Sequence, residues 1–330
     1  MRRPVDLSAT IGSVRLPNPV LTASGTAGHG TELRSYVDLA SLGAVVVKSL
    51  SAEPWAGNPP PRLHATDAGM LNSVGLQNPG VAAWLADELP ALLASGARVV
   101  ASIWGLTVAA YERAAALLAG APPAVVAVEV NLSCPNLDGG RHVFAHSPEA
   151  TAGAVGATIG CGRPRWAKLS GDVADVVEIA GAALGAGAES LTLVNTVRGL
   201  AIDPETRRPV LGAGSGGLSG PAIRPVAVRA VHECRRAFPG AGIVGVGGVS
   251  RGVHAVELLL AGADAVQVGT ASFADPRAPA RVGAELARWC ADHGLARVAD
   301  LVGAAVTTVA DDDGGGVGAE NGGRCGSGGS

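Results

Sequence analysis

Residues 125–136 read Val-Val-Ala-Val-Glu-Val-Asn-Leu-Ser-Cys-Pro-Asn, an apolar strand-like run that ends in a polar turn. β-Branched residues favour strands, whereas Asn and Pro favour the turn that follows. Seven other short runs have the same character, and Ala-rich segments of helical length lie between or after them. The predicted strands are residues 20–23, 44–48, 99–103, 125–131, 166–169, 191–195, 243–246 and 265–268. This alternation is typical of repeated βα units and a parallel sheet.

Amphipathic segments complete the pattern. The predicted helices are residues 32–41, 81–95, 109–119, 148–159, 173–186, 222–237, 252–261 and 277–293. Eight strand–helix pairs predict an α/β fold, a single-domain (β/α)8 TIM barrel. Residues 1–17, with a turn at 11–13, predict a hairpin that closes the bottom of the barrel. Residues 310–330 are rich in Asp, Gly and Ser, which predicts a disordered tail and leaves residues 1–309 as the folded domain.

Composition narrows the class of partner. The net charge is −3 and no basic stripe is present, which argues against nucleic acid and favours small molecules. Charge interrupts the apolar runs well before the roughly 20 residues of a membrane span. The first residues lack the apolar core of a secretory signal, so we expect a cytoplasmic protein. The five cysteines form no CxxC pair, which argues against a disulfide scaffold, a metal site or an iron–sulfur cluster within this chain.

The connections that follow the strands are longer than those that precede them, notably at 49–79, 132–147 and 196–221. TIM barrels build their active sites from these long βα loops. Gly247-Gly248 follows the seventh strand and Gly269-Thr270 follows the eighth, where barrels bind the phosphate of a cofactor or substrate. Either pair alone reads equally well as an ordinary tight turn. Together they favour a phosphate, as in flavin enzymes and sugar-phosphate enzymes.

Several polar residues fall at strand ends or in these loops: Asn72, Asn131, Asn136, Asn195 and the only two lysines, Lys48 and Lys168. A carboxamide both donates and accepts, which suits a planar ring with alternating N–H and C=O groups. Turn formation is the other reading of an asparagine, and it explains Asn131 and Asn195 poorly because each ends an apolar strand. Lys168 could instead form a structural buried pair with Glu129, whereas we expect Lys48 to meet a ligand anion.

Cys134 lies between two asparagines in a proline-containing loop. A lone cysteine is more often an inert apolar residue. Its place at the catalytic rim of a barrel favours proton transfer instead.

Together these motifs resemble the dihydroorotate dehydrogenases, flavin enzymes of pyrimidine synthesis. The resemblance runs from about residue 5 to residue 276. It rests on the two glycine turns and on Ala-Ser-Gly (23–25), Gly-Asn-Pro-Pro-Pro-Arg (57–62), Leu-Asn-Ser-Val-Gly-Leu-Gln-Asn-Pro-Gly (71–80), Asn-Leu-Ser-Cys-Pro-Asn (131–136), Ala-Lys-Leu-Ser (167–170), Val-Asn-Thr (194–196) and Gly-Gly-Leu-Ser-Gly-Pro-Ala-Ile (216–223).

The resemblance implies one FMN per chain across the barrel mouth. The residues expected around FMN are Ser24, Lys48, Ser49, Ser102, Asn131, Lys168, Val194, Gly220, Gly247, Gly248, Gly269 and Thr270. Those expected around dihydroorotate are Lys48, Asn72, Ser73, Val74, Gly75, Leu76, Asn131, Asn136, Asn195 and Thr196. Cys134 would be the general base that removes the C5 proton while hydride passes from C6 to the flavin, and Lys168 would stabilise the charge of the reduced ring.

The resemblance also implies a subclass. Membrane-associated relatives use a serine base and an N-terminal extension, whereas this chain has Cys134. Residues 196–211 and 216–225 resemble the NAD-linked B-type catalytic subunit, whose partner subunit carries FAD and a 2Fe-2S cluster. The implied assembly is a homodimer joined by electron-transfer subunits into a heterotetramer. Two departures are Ser102, where the family usually has asparagine, and Ala145-His146 in the loop at 141–146, which bears on lid mobility and substrate choice.

Alternative hypotheses remain open from the sequence. The nearest are a fumarate-reducing A-type dihydroorotate dehydrogenase and a related dihydropyrimidine oxidoreductase. More distant are a Schiff-base aldolase that uses Lys168 and a catalytically silent barrel that binds a ligand.

Overall fold

The computed structural model describes residues 4–133 and 143–306. Its strands, in chain order, are β1 Ala9–Ile11, β2 Val14–Leu16, β3 Val20–Thr22, β4 Val45–Val46, β5 Leu63–Thr66, β6 Gly69–Asn72, β7 Val99–Ile103, β8 Val125–Asn131, β9 Arg165–Leu169, β10 Ser190–Leu193, β11 Val197–Gly199, β12 Ile202–Asp203, β13 Arg208–Pro209, β14 Gly216–Ser219, β15 Gly242–Val246 and β16 Ala265–Val268. Cys134, Asn136 and the predicted tail at 310–330 lie outside the described residues.

A closed barrel of eight parallel strands forms the centre of the molecule. The strands are hydrogen-bonded in the order β3-β16-β15-β10-β9-β8-β7-β4, and a parallel bridge between Leu21 and Ala44 joins the last strand to the first. At this seam the Thr22 hydroxyl accepts from the backbone N–H of Val46 at 2.9 Å. The eight predicted strands and the (β/α)8 barrel are therefore confirmed.

The helices surround the barrel. They are α1 Val81–Ala83, α2 Leu89–Ala94, α3 Val108–Leu117, α4 Pro148–Ala157, α5 Val176–Gly185, α6 Arg224–Ala237, α7 Gly252–Leu260, α8 Ala271–Ala274 and α9 Ala278–Asp292, with 3-10 turns at Leu39–Ser41, Phe144–His146, Thr158–Cys161, Pro221–Ile223 and Val298–Leu301. A π-helical turn, Trp84–Glu88, joins α1 to α2. This turn precedes Pro90, which lacks an N–H to continue the ladder.

The predicted helix at 32–41 is wrong. The segment forms isolated turns and ends in the single 3-10 turn Leu39–Ser41. Asp38 Oδ1 accepts from the N–H of Ala40 at 3.1 Å, and such a local side-chain bond offers the backbone an alternative to the helical ladder. Leu33, Val37 and Leu39 nevertheless remain buried in the core.

The predicted N-terminal hairpin is present and fills one end of the barrel. β1 and β2 pair antiparallel, and Ile11, Val14 and Leu16 are buried in one cluster with inward side chains of the strands, including Trp166 and Val100. This end of the barrel is mostly apolar, although the hydroxyl of Ser190 is buried there beside Gly12 and Gly242. We call it the closed end.

Alternation along the strands separates two cores. On β8, Val128 and Val130 belong to the cluster that includes the helices, whereas Ala127 lies in the closed end. Glu129 and Asn131 share the inward face of the strand with Ala127 because side chains of a strand alternate. Polarity therefore increases along the barrel axis, from an apolar closed end to a polar mouth.

Two long loops are joined over the mouth by a second sheet. β5 and β6 come from the loop after the second barrel strand, and β11 and β14 from the loop after the sixth. They form one antiparallel sheet in the order β11-β14-β6-β5. The pairing of β6 with β14 sets Asn72 opposite Gly217, so one wall of the mouth consists of hydrogen-bonded strands rather than separate loops.

Candidate active site

A cavity of about 470 Å³ lies at the C-terminal ends of the barrel strands, under the antiparallel sheet. Its volume falls within the usual range for small-molecule sites. Lys48, Lys168 and Arg198 line it, and none of the described lining residues is Asp or Glu. Arg198 is largely exposed and forms an ion pair with Asp172 at 2.6 Å. The lining is therefore suited to an anionic ligand.

The glycine turns after β15 and β16 form one end of this cavity. Gly248 has a φ of +71°, and a Cβ there would stand 2.6 Å from the Cβ of Arg224. At Gly247, with φ +136°, a Cβ would stand 3.0 Å from the Cβ of Ala227. Thr270 donates to the hydroxyl of Ser219 at 2.8 Å, which links the β16 turn to β14. Close packing against α6 therefore requires glycine at 247 and 248, and both turns line the cavity with backbone, as a phosphate bound to N–H groups needs.

Lys168 lies on the cavity wall in a buried polar network. Its ammonium is 3.3 Å from Glu129 Oε1, 3.2 Å from Gln267 Oε1 and 3.4 Å from the Ser24 hydroxyl. Gln267 Nε2 donates to the other Glu129 oxygen at 2.7 Å. The buried pair that the sequence offered as an alternative is thus present, and its lysine lines the cavity.

Two asparagines at the mouth, Asn131 and Asn195, belong to one chain of hydrogen bonds. Asn195 Nδ2 donates to Asn131 Oδ1 at 3.1 Å, and Asn131 Nδ2 donates to the hydroxyl of Ser49 at 3.2 Å. Ser49 is 2.9 Å from the hydroxyl of Ser102. Ser102 is fully buried behind Ser49 and does not line the cavity. The serine at position 102 therefore helps to set the carboxamides through Ser49.

The start of the loop after β8 is anchored from behind. Tyr111 donates to the backbone carbonyl of Asn131 at 2.7 Å, and its ring meets Phe144 edge to face, with centroids 5.2 Å apart. Ala145 N–H donates to the Leu132 carbonyl at 2.9 Å. Leu132 and Ala145 are thereby fixed on either side of the undescribed residues 134–142.

His29 stands at the edge of the mouth, in a second cavity that it shares with Lys48. Its Nε2 is buried and has no hydrogen-bond partner among the described residues. Burial, and then the nearby Lys48, lower the pKa of His29 below its usual value. This imidazole is therefore uncharged near neutral pH and adds no positive charge to the mouth.

Three of the five thiols lie in the outer core. Cys161, Cys234 and Cys290 are fully buried and free. Burial raises the pKa of each, and that of Cys234 to about 12. Because the thiolate is the reactive form, these cysteines are poor candidates for proton transfer.

Most of the residues predicted for the site are brought together in the cavity. The lining includes Ser24, Lys48, Ser49, Asn72, Ser73, Val74, Gly75, Leu76, Asn131, Lys168, Val194, Asn195, Thr196, Gly220, Gly247, Gly248, Gly269 and Thr270. Of the others, Ser102 lies behind Ser49, and Cys134 and Asn136 lie outside the described residues. The structure shows that these residues line one cavity, and their individual roles stay predictions.

Gln267 was absent from the residues predicted for the site, although the sequence carried a signal for it. It is the single polar residue of β16 and is fully buried. Ala265 points to the closed end, so the period of two places Gln267 on the inward face as well.

Within the described parts of the chain, no helix has the length and apolar character that a bilayer crossing needs. Within the same ranges, no group of three or more His, Cys, Asp or Glu side chains could hold a metal ion.

Fold and site together define a (β/α)8 barrel with glycine turns after its last two strands and a mouth that combines two ammonium groups with a set of carboxamides. The family model described as dihydroorotate dehydrogenase matches residues 6–289. A Geobacter sulfurreducens protein is 46% identical over 308 residues, which cover 92% of this chain and 99% of the relative. A Desulforudis audaxviator protein is 48% identical over 305 residues, with 92% and 99% covered. Both relatives are named dihydroorotate dehydrogenase B (NAD(+)), catalytic subunit. The chain belongs to the dihydroorotate dehydrogenase family.

Proposed function

We propose that this chain oxidises dihydroorotate to orotate in pyrimidine synthesis, as the catalytic subunit of an NAD-linked enzyme. The single observation that carries the proposal is the cavity itself, whose lining includes Lys48, three asparagines (Asn72, Asn131 and Asn195) and the two glycine turns. The near-complete coverage of B-type relatives supports the NAD-linked subclass. A cytoplasmic location is part of the same proposal.

FMN is the cofactor that fits the described residues. The turns at Gly247-Gly248 and Gly269-Thr270 line one end of the cavity with backbone and one short side chain, which suits a terminal phosphate. Lys168, Asn131 and Ser24 offer donors to a ring system further along the cavity. FMN, when bound, supplies the acceptor for the hydride that leaves the substrate. The residues proposed to hold it are the twelve named above from the resemblance, with Ser102 acting through Ser49.

The protein's own groups then bind the substrate and move one proton. Lys48 would pair with the substrate carboxylate, since charge-assisted contacts are the strongest available to that group. Asn72, Asn131, Asn136 and Asn195 would hold the ring amides, and Thr196 and residues 73–76 would enclose the ring. Cys134 would take the C5 proton as a thiolate, so activity should rise toward the thiol's ordinary pKa of about 8.5 unless the site lowers it.

Flavin bleaching tests this function. We expect the purified chain to be yellow with bound FMN and to lose its colour when dihydroorotate is added without oxygen. Cys134→Ala should slow the bleaching at least about 100-fold, the usual size of a general-base contribution, whereas Cys290→Ala, at a buried thiol, is the matched control and should bleach at the normal rate. A colourless protein that takes up no FMN would contradict the function, and normal bleaching by Cys134→Ala would remove Cys134 from the mechanism.

The electron acceptor is tested separately. Co-purification from the native cell should yield a partner subunit with FAD and a 2Fe-2S cluster, in a heterotetramer built on a dimer of this chain, and the complex should reduce NAD. Turnover of the isolated chain with fumarate would instead assign it to the A type. An aldolase that uses Lys168 is disfavoured because Glu129 and Gln267 already engage that ammonium.

A further inference from the structure

Glu129 is a charged residue that the proposed reaction does not use. Its side chain is 0% exposed and that of Lys168 is 4% exposed. Lys168 lines the cavity, whereas Glu129 and Gln267 lie one step deeper, between the cavity and the apolar closed end. The carboxylate therefore reaches a bound ligand only through the ammonium.

The three side chains form a closed triangle that fixes their orientation. Gln267 donates to one Glu129 oxygen at 2.7 Å and accepts from Lys168 at 3.2 Å, while the other Glu129 oxygen is 3.3 Å from the same ammonium. The serine hydroxyl at position 24 takes a further ammonium contact, at 3.4 Å. Lys168 is thus held against the cavity wall by acceptors from two other strands and one loop.

Stability alone does not account for this arrangement. Taking an ion pair out of water costs free energy that the attraction between the charges often fails to recover, and apolar residues of similar volume frequently stabilise a core at least as well. The layer just below, at the closed end, is filled by uncharged side chains such as Leu16, Trp166 and Ser190. A barrel interior of this kind can therefore be filled without charges.

We propose that Glu129, braced by Gln267, is a positioning residue that fixes the Lys168 ammonium and sets the reduction potential of bound FMN. The inference rests on the proposed function. The ammonium stabilises the extra electrons of the reduced ring, and the buried carboxylate offsets part of that positive charge. Glu129 therefore keeps the cofactor more reducing than Lys168 alone would, which favours passing electrons onward.

The test is the midpoint potential of FMN in the purified, FMN-loaded chain. Glu129→Gln keeps the shape and removes the negative charge, so the reduced form should be stabilised about tenfold, equivalent to a rise of ~30 mV for a two-electron couple. Glu129→Asp keeps the charge but withdraws it from the ammonium, so its potential should rise by less. An unchanged or lowered potential in Glu129→Gln overturns the inference. If Glu129→Gln does not fold, an unchanged midpoint potential in Glu129→Asp overturns the inference instead.

A double-mutant cycle shows whether the carboxylate acts through the lysine. In a Lys168→Met background the same Glu129→Gln change should shift the potential by less than half as much, because the ammonium is gone. An equal shift in both backgrounds contradicts the positioning role.

The matched control is Asp264→Asn, which removes a carboxylate from the largely buried pair with Arg235. Asp264 lies just before β16, away from the cavity lining, and its loss should leave the potential unchanged.

This design separates the two proposals. Failure of the unmodified chain to bind FMN or to be bleached by dihydroorotate rejects the proposed function. If FMN binding and bleaching are normal but the midpoint potential is the same in Glu129→Gln as in the unmodified chain, only the role of Glu129 is rejected.

Discussion

The two ends of the barrel are built from the same eight strands and differ in almost every physical respect. The closed end packs Ile11, Val14 and Leu16 against apolar strand residues. The mouth carries two lysines, three glycines at the turns after β15 and β16, and a hydrogen-bonded pair of asparagines. Burial of apolar area stabilises the first, at roughly 25 cal/mol per Å², whereas the second holds buried polar groups that contribute little to folding. Stability and ligand binding are therefore separated along one axis.

Truncating the closed end should give the largest effect on folding. Ile11→Ala removes a fully buried side chain from the cluster, so we expect a loss of about 2–5 kcal/mol in the free energy of unfolding, measured by urea denaturation. Below the unfolding transition, KM and kcat should not change. Ile202→Ala, at an exposed site, is the control and should cost less than about 0.5 kcal/mol. A raised KM in Ile11→Ala would show that the two ends are coupled.

Truncating the mouth should give the opposite pattern. Asn195→Ala deletes the donor to Asn131 and one proposed substrate contact, so we expect kcat/KM to fall about 10–100-fold, equivalent to roughly 1.4–2.8 kcal/mol. The melting temperature should change little because Asn195 is only partly buried. Asn18→Ala is the matched control at the other end of the strands, where Asn18 donates to the Ser41 carbonyl at 2.7 Å. Asn18→Ala should lower the melting temperature and leave kcat/KM unchanged. A loss of kcat/KM in Asn18→Ala, with a loss of stability alone in Asn195→Ala, would show that stability and ligand binding are not separated along the barrel axis.

The smallest expected effect is a pH dependence that belongs to the mouth. Burial and Lys48 lower the pKa of His29 in the folded state from the ordinary 6.5. The unfolded chain therefore binds the proton more readily, and stability should fall as the pH drops below about 6.5, by at most about 1.4 kcal/mol per pH unit. His29→Gln should reduce this slope in denaturation curves taken between pH 7 and pH 5. Equal slopes in the two proteins would show that the His29 environment does not contribute.

The sequence predicted the strands better than the first helix, for a physical reason. Strand positions such as 125–131 are determined by a run of apolar, β-branched residues, and that signal is local. The segment 32–41 has helix-forming residues, but Asp38 accepts from the N–H of Ala40 and caps a short 3-10 turn within it. Whether a side chain of this kind competes with the helical hydrogen bonds depends on its own conformation, which the hydrophobic periodicity of the sequence does not reveal.

The candidate site shows a similar division. Lys48, Asn131 and Asn195 could be predicted because each ends an apolar strand, where a barrel places its mouth. Gln267 and the position of Ser102 behind Ser49 depend on which strands are neighbours in the closed sheet. Closure brings residues 24, 129, 168 and 267 to one point, and no local pattern in the chain contains that information.

The buried thiols of the outer core have a practical consequence for labelling. Cys161, Cys234 and Cys290 are enclosed, and their raised pKa values keep them protonated under ordinary alkylation conditions. A thiolate-directed reagent applied to the folded protein should therefore modify at most Cys134 and Cys325. Peptide mapping then needs to distinguish only these two positions, and whether orotate protects Cys134, as the proposed function predicts, can be measured in the wild-type chain without removing any other cysteine.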